Sequence, residues 1–257
     1  MFAMAVVAIA GWTPCVRHLR RPHASARWSA TMVAPPDVLM PPLELLVGSN
    51  LDGKELQRCY KASTDGWSAL DFHRQVDTLG SVLVIGQNED GVLLGGYNPV
   101  GWDSRDDYRA TPRAFLFCAP PAVGESEPEW QTCAVLGPGD VAIFDYARGG
   151  PQFGAADLVI GPPQTPVMGG LTGPDNYDED YMKRTAGDLR YVSATPGSSY
   201  ARLPGGAAFP SGTLVELEAY CNAAFATGSG LRIGTAKAPG DDDDSTPLTA
   251  GWWPFKF

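Results

Sequence analysis

The sequence predicts an α+β domain in which short helices flank an antiparallel sheet folded into two layers, a β-sandwich. Three observations predict it. Glycine and proline are abundant, 30 and 23 of 257 residues, which favours many turns between short strands over a helical bundle. The period of the apolar positions changes from helical to strand-like after Gly80. The last strand-like run, Thr213–Cys221, alternates well, with Val215, Leu217, Ala219 and Cys221 on one face and Glu216 and Glu218 on the other.

Helices followed by a run of strands is an α+β order with an antiparallel sheet. At 44% hydrophobic and 19% charged residues, the chain can bury a sizeable core. Its formal charge of −10 argues against nucleic acid as a partner, because phosphate binding needs basic clusters.

Residues 1–36 carry no Asp or Glu but hold Arg17, Arg20, Arg21 and Arg27 among Ser and Ala. Arg-rich, acid-poor composition is the mark of an organelle transit peptide. The apolar run Met1–Ala10 ahead of it ends in a small-residue cleavage-like pattern and is too short to span a bilayer. Together the two parts resemble the signal-plus-transit leaders of algae with secondary plastids. A plastid is the expected destination, and a plain chloroplast or mitochondrial transit peptide or a secretory signal is the alternative. No other segment is apolar enough to cross a membrane.

Pro35, Pro36, Pro41 and Pro42 suggest a stiff linker, residues 37–42, before a body spanning 43–223. Asp52 can cap a short helix whose apolar positions Leu56, Cys59 and Tyr60 fall at i, i+3, i+4. Ser68 and Asp71 have capping-box spacing ahead of a second helix with Ala69, Phe72, Val76 and Leu79 at helical intervals, and Gly80 stands where it should stop. Strand-like runs follow at 81–85, 92–97, 114–118, 132–136, 141–146 and 157–160, separated by turn-rich segments. Residues 161–210 are poor in apolar residues and read as an elaborated or partly disordered surface loop. Residues 224–257 read as an acidic and aromatic tail with Asp241–Asp244 and a Trp252-Trp253-Pro-Phe-Lys-Phe end.

The body resembles the TLDc domain family, whose members include eukaryotic oxidation-resistance proteins. Three blocks carry the resemblance: Tyr60-Lys-Ala-Ser-Thr-Asp-Gly66-Trp67-Ser68 continuing to Phe72-His73; Val92-Leu-Leu-Gly95-Gly96-Tyr97 with Trp102 and Ala114-Phe-Leu-Phe117; and Gly150-Pro-Gln-Phe153-Gly154 with Asp157-Leu158. A fourth, Val215-Glu-Leu-Glu-Ala-Tyr220, resembles the family's closing strand. The resemblance implies a TLDc-type β-sandwich flanked by helices and a role in resisting oxidative damage. Some members bind the vacuolar proton-pumping ATPase, a partner not carried over to a plastid protein. The family supplies no catalytic residues to transfer.

The individual residues point the same way. A lone His73 lacks the partner ligands a metal needs, so it reads as a structural histidine bonded to a neighbouring loop, with acid/base work as the sharper alternative. Gly95, Gly96, Gly150 and Gly154 have no phosphate-loop spacing and suit bends or close strand approach. Glu216 and Glu218 read as a solvated face, or as an acidic contact surface for a protein partner. Asp241–Asp244 lacks the spacing of a calcium loop. Trp252 and Trp253 should dock somewhere, on the domain, on a partner or on a plastid membrane complex.

No catalytic residue, cofactor or metal is expected. Cys15 lies in the leader. Cys59, Cys118, Cys133 and Cys221 have no metal-ligand spacing and read as buried thiols, with a disulfide or redox role as the alternative. The function expected is a non-catalytic protein-interaction module with a protective or regulatory role in oxidative stress. The rivals are a thiol-based redox protein and a structural subunit of a thylakoid complex.

Overall fold

The computed structural model describes residues 38–121, 128–161 and 186–226, and the backbone of a strand at Arg232–Ile233. It begins with a 3-10 turn at Leu43–Leu46, followed by β1 (Leu56–Lys61) and two short helices, α1 (Ala62–Asp65) and α2 (Ala69–Val76). Then come β2 (Val82–Asn88), β3 (Leu93–Asn98), β4 (Asp107–Arg109), β5 (Phe115–Ala119), β6 (Gln131–Ala134), β7 (Ile143–Asp145), β8 (Gln152–Phe153) and β9 (Leu158–Ile160). The order closes with β10 (Tyr191–Ser193), β11 (Gly212–Asn222) and β12 (Arg232–Ile233).

All the pairings between these strands are antiparallel. Along the path the order is β4-β7-β8-β9-β10-β11-β2-β3-β5-β6, with β1 on the far side of β11 and β12 beyond β1. The long strand β11 joins both layers. Its first residues pair with β10, and its body pairs with β2 and β1. The result is the β-sandwich-like α+β fold that the sequence predicts.

Strand alternation divides the core in two. Val82, Val84, Leu94, Leu116 and Leu217 point inward and meet Ile143, Phe153, Leu158, Ile160 and Val192 of the second layer. Leu83, Ile85, Tyr97, Phe117 and Tyr220 point the other way and are covered by Leu39, Leu46 and Leu51 of the N-terminal segment. Both faces are therefore dry at the centre of the first layer, which explains why β2 is buried at every position. Among the described residues no helix is long and apolar enough to cross a membrane.

Helix α2 forms where its signals place it. Ser68 Oγ accepts the Leu70 N–H at 3.1 Å, and Ala69, Phe72 and Val76 are buried on one face. Ser68→Ala is expected to cost about 1 kcal/mol by removing this cap, read from the midpoint of urea unfolding. The helix ends at Val76, ahead of Gly80, because Thr78 takes positive φ (67°) first.

Four expectations are corrected. The helix expected around Leu56, Cys59 and Tyr60 is strand β1, and Asp52 accepts the Gly48 N–H instead of capping a helix. A bulge between Arg58 and Tyr60 shifts the register by one residue, so buried positions fall at a helix-like spacing in an extended chain. The expected linker does not stand free over residues 38–42. Leu39 is buried and its N–H bonds Glu218 Oε2 at 2.9 Å. Within the expected loop 161–210, residues 186–210 carry strand β10 and the buried Leu189, Val192 and Tyr200. Within the expected tail, Arg232–Ile233 pairs with β1.

Candidate functional site

The signature residues converge where α2 meets the two layers. Phe72 lies edge-on to Tyr60 (5.3 Å between ring centroids) and to Trp102 (5.5 Å). Trp102 meets Phe153 at 5.9 Å, and Phe153 meets Tyr200 at 6.3 Å. Each of these five rings is at most 1% exposed. This aromatic line runs from β1 through the helix to the second layer, in the edge-to-face arrangements that ring quadrupoles favour. Gly96 on β3 makes room for it, since a Cβ there would sit 2.6 Å from Phe153 Cζ. Gly95 makes the matching close approach to Phe117 on the other face, and Gly150 to Ile160 and Leu189.

Gly66, Trp67 and Ser68 form the entry to α2. Gly66 O accepts the Tyr60 hydroxyl at 2.7 Å. Trp67 O accepts the Leu189 N–H, and Ala69 N–H donates to Gly187 O, both at 2.8 Å. The Arg190 guanidinium lies 5.0 Å above the Trp67 ring. These bonds stitch residues 187–190 against the start of the helix.

His73 is 4% exposed and both of its ring nitrogens are occupied. Nδ1 lies 2.7 Å from Asp77 Oδ1, one helical turn on, and Nε2 lies 3.0 Å from Gly149 O. A ring facing an acceptor on each side is satisfied as the imidazolium, where both nitrogens donate. Burial pulls its pKa down, but the Asp77 hydrogen bond and charge, the Gly149 carbonyl and Asp145 outweigh it, so the net shift is upward. Asp77 is held in turn by the Ser104 hydroxyl. His73 thus bonds α2 to the loop that leads into the third signature block.

The sign of this shift sets a pH dependence. A folded-state pKa above the ordinary 6.5 stabilises the fold fully below that value, and the contribution is lost as pH rises through the folded-state pKa. The stability gap between the native chain and His73→Gln is therefore expected to be largest near pH 5.5 and to shrink toward pH 9. Urea titrations at three pH values measure it.

Asp145 sits behind this histidine, fully buried, accepting the N–H groups of Asp103 (2.9 Å) and Ser104 (3.0 Å), with Arg109 Nη1 at 3.6 Å. Burial pushes its pKa up, against the pull of those hydrogen bonds and of His73 and Arg109. Sequence reasoning missed Asp77, Ser104 and Asp145. The four-residue spacing of His73 and Asp77 was a usable signal, because such pairs meet on one helix face.

Asp157 is fully buried and fills a nest of main-chain donors. Its Oδ1 accepts from Gly197 (3.0 Å) and from Ser198, Ser199 and Tyr200 (3.1 Å each), and Oδ2 also accepts from Ser199. Gly154 takes positive φ (66°) directly beside this carboxylate, where a Cβ would collide with it.

Glu216 and Glu218 are 3% and 0% exposed, which corrects the solvated or partner-facing acidic surface expected of them. Their face of β11 is covered by the N-terminal segment, and β1 supplies cations. Glu218 Oε1 meets Arg58 Nη1 and Lys61 Nζ, each at 3.0 Å. Its Oε2 accepts from Leu39 N–H and the Tyr220 hydroxyl. Glu216 accepts from Ser63 N–H and its hydroxyl, and lies 3.6 Å from Lys61 Nζ. Buried charges survive only when paired in this way.

Cys118, Cys133 and Cys221 are buried, Cys59 is half-buried, and all four thiols are free. Trp252, Trp253 and Asp241–Asp244 lie outside the described residues.

A search of curated proteins finds no match to this chain. The family model for the TLDc domain matches residues 41–171, from the N-terminal segment through all three signature blocks. That match covers half of the chain and takes in the His73 network and every ring of the aromatic line but Tyr200, so the chain belongs to the TLDc domain family.

Proposed function

We propose that this chain is a non-catalytic TLDc module that binds a protein partner and protects or regulates it under oxidative stress, in a plastid. One observation carries the reading: the polar signature groups are already engaged by the fold. His73 has an acceptor on each nitrogen, and Asp157 is surrounded by main-chain donors. A general base needs a free lone pair within reach of a substrate, and neither group offers one. The TLDc domain is often linked to oxidative stress, which supports the protective role. The Arg-rich, acid-free stretch at residues 1–36 supports the destination.

Two experiments test the parts separately. Residues 1–36 fused to a fluorescent protein should direct it to the plastid, and cytosolic fluorescence would refute the destination. Affinity purification of the tagged mature chain from plastid extract, with and without peroxide, should recover a stoichiometric partner. Purification of the chain alone under both conditions would contradict the interaction role.

A further inference from the structure

Cys59 and Cys221 stand together across the β1–β11 pair. Gln57 opposes Cys221 and Tyr60 opposes Ala219, which leaves Cys59 in the bulge between them. Cys59 Sγ approaches Ala219 O at 3.4 Å, and Cys221 Sγ approaches Gln57 O at 3.8 Å, so each thiol reaches toward the other's strand. Both side chains pack on the same inner core, close enough for each to act on the other's charge. Cys221 is fully buried and Cys59 is partly open to solvent.

We infer that Cys59 and Cys221 form a redox-sensitive site, at which a hydroperoxide converts two thiols into a disulfide joining β1 to β11. Accessibility sets the order of events. Cys59 Sγ attacks a peroxide oxygen; the O–O bond breaks, an S–O bond forms, and the departing alkoxide or hydroxide takes the Cys59 thiol proton. Cys221 Sγ then attacks Cys59 Sγ, forming the S–S bond and breaking the S–O bond, and the released hydroxide leaves as water with the Cys221 proton. One hydroperoxide is reduced by two electrons, and two thiols are oxidised.

The local electrostatics suit these roles. The neighbouring Cys59 thiol lowers the pKa of Cys221 against its burial, and Cys221, together with burial, raises that of Cys59. Cys221 is therefore the readier thiolate and the better second nucleophile. A raised Cys59 makes the first step slow, as fits a site answering sustained oxidant. The other cross-strand neighbours, Cys118 and Cys133, serve as an internal control. Both are buried, whereas Cys59 is partly open to solvent, so peroxide does not reach them and they should stay reduced.

The test uses the full chain. After graded hydrogen peroxide, free thiols are alkylated, and a non-reducing digest is read by mass spectrometry. The expected product is one cross-linked peptide pair carrying Cys59 and Cys221, two hydrogens lighter than the reduced pair, with Cys118 and Cys133 alkylated. Cys59→Ser should abolish it. Were that variant to fold poorly, the peptide map of the native chain decides alone. The inference is overturned by a native map in which Cys59 and Cys221 are both still alkylated once free glutathione in the same tube is oxidised. It is equally overturned by a Cys118–Cys133 link, or by Cys59 sulfinic acid beside an unmodified Cys221.

Discussion

Phe72→Ala is expected to lower the unfolding free energy by about 3–5 kcal/mol, the range for deleting a buried aromatic ring without collapse of the space around it. The site cannot readily close. Tyr60, Trp102 and His73 each meet the Phe72 ring edge-on at 5.3–5.5 Å, and all three are anchored elsewhere. Tyr60 bonds Gly66 O and His73 bonds Gly149 O. Trp102 is wedged against Phe153. Phe72→Leu keeps much of the volume and should cost less than half as much. Urea unfolding of both variants measures the difference. A loss below about 1 kcal/mol for the alanine variant would show that the aromatic line does not hold α2 to the sheets.

Asp157→Ala is expected to be equally severe, about 3–5 kcal/mol, for a different reason. The ring deletion loses contacts, whereas this change strands donors. The N–H groups of Gly197, Ser198, Ser199 and Tyr200 all point at one fully buried carboxylate, those of Ser199 and Tyr200 being buried themselves. Without it the buried donors of Ser199 and Tyr200 face no acceptor, and a buried unpaired donor costs about 1–3 kcal/mol. Asp157→Asn should fall between, because it keeps one acceptor oxygen and turns an amide N–H₂ toward some of the same donors. Amide hydrogen exchange supplies an independent readout. The four amides should be protected in the native chain and exchange faster in both variants. Protection unchanged by the alanine variant would mean that other acceptors hold the nest.

What the sequence made legible follows from how far each physical signal reaches. Helix α2 could be found because its cap, apolar spacing and breakers lie within one short stretch. Strands β2, β3 and β5 could be found because each has five or more residues of β-favouring composition. Strands β4, β8, β10 and β12, of two or three residues, are too short to alternate; β7 and β9 are as short but sit in apolar, β-favouring runs that made them legible.

The misread charges have one cause. Glu216 and Glu218 looked solvent-facing because alternation on a strand usually puts carboxylates in water. Their partners Arg58 and Lys61 sit on β1, which the bulge had disguised as a helix. Burial of those carboxylates is a tertiary fact, set by pairing across a separation of some 160 positions, and no local pattern records it. The nest around Asp157 is hidden in the same way, since its donors come from the backbone of a segment that read as loop.

The most direct test of this account is the protonation of His73. In a chain truncated to begin at residue 37, it is the only histidine, so ring-nitrogen chemical shifts followed by NMR across pH 5–9 need no assignment strategy. The titration midpoint should lie above the ordinary 6.5, so that both nitrogens carry protons at pH 6, as expected of a ring bonded to Asp77 and Gly149 at once. A midpoint below 6.5, with one nitrogen unprotonated at pH 6, would contradict the account and return His73 to the list of candidate bases.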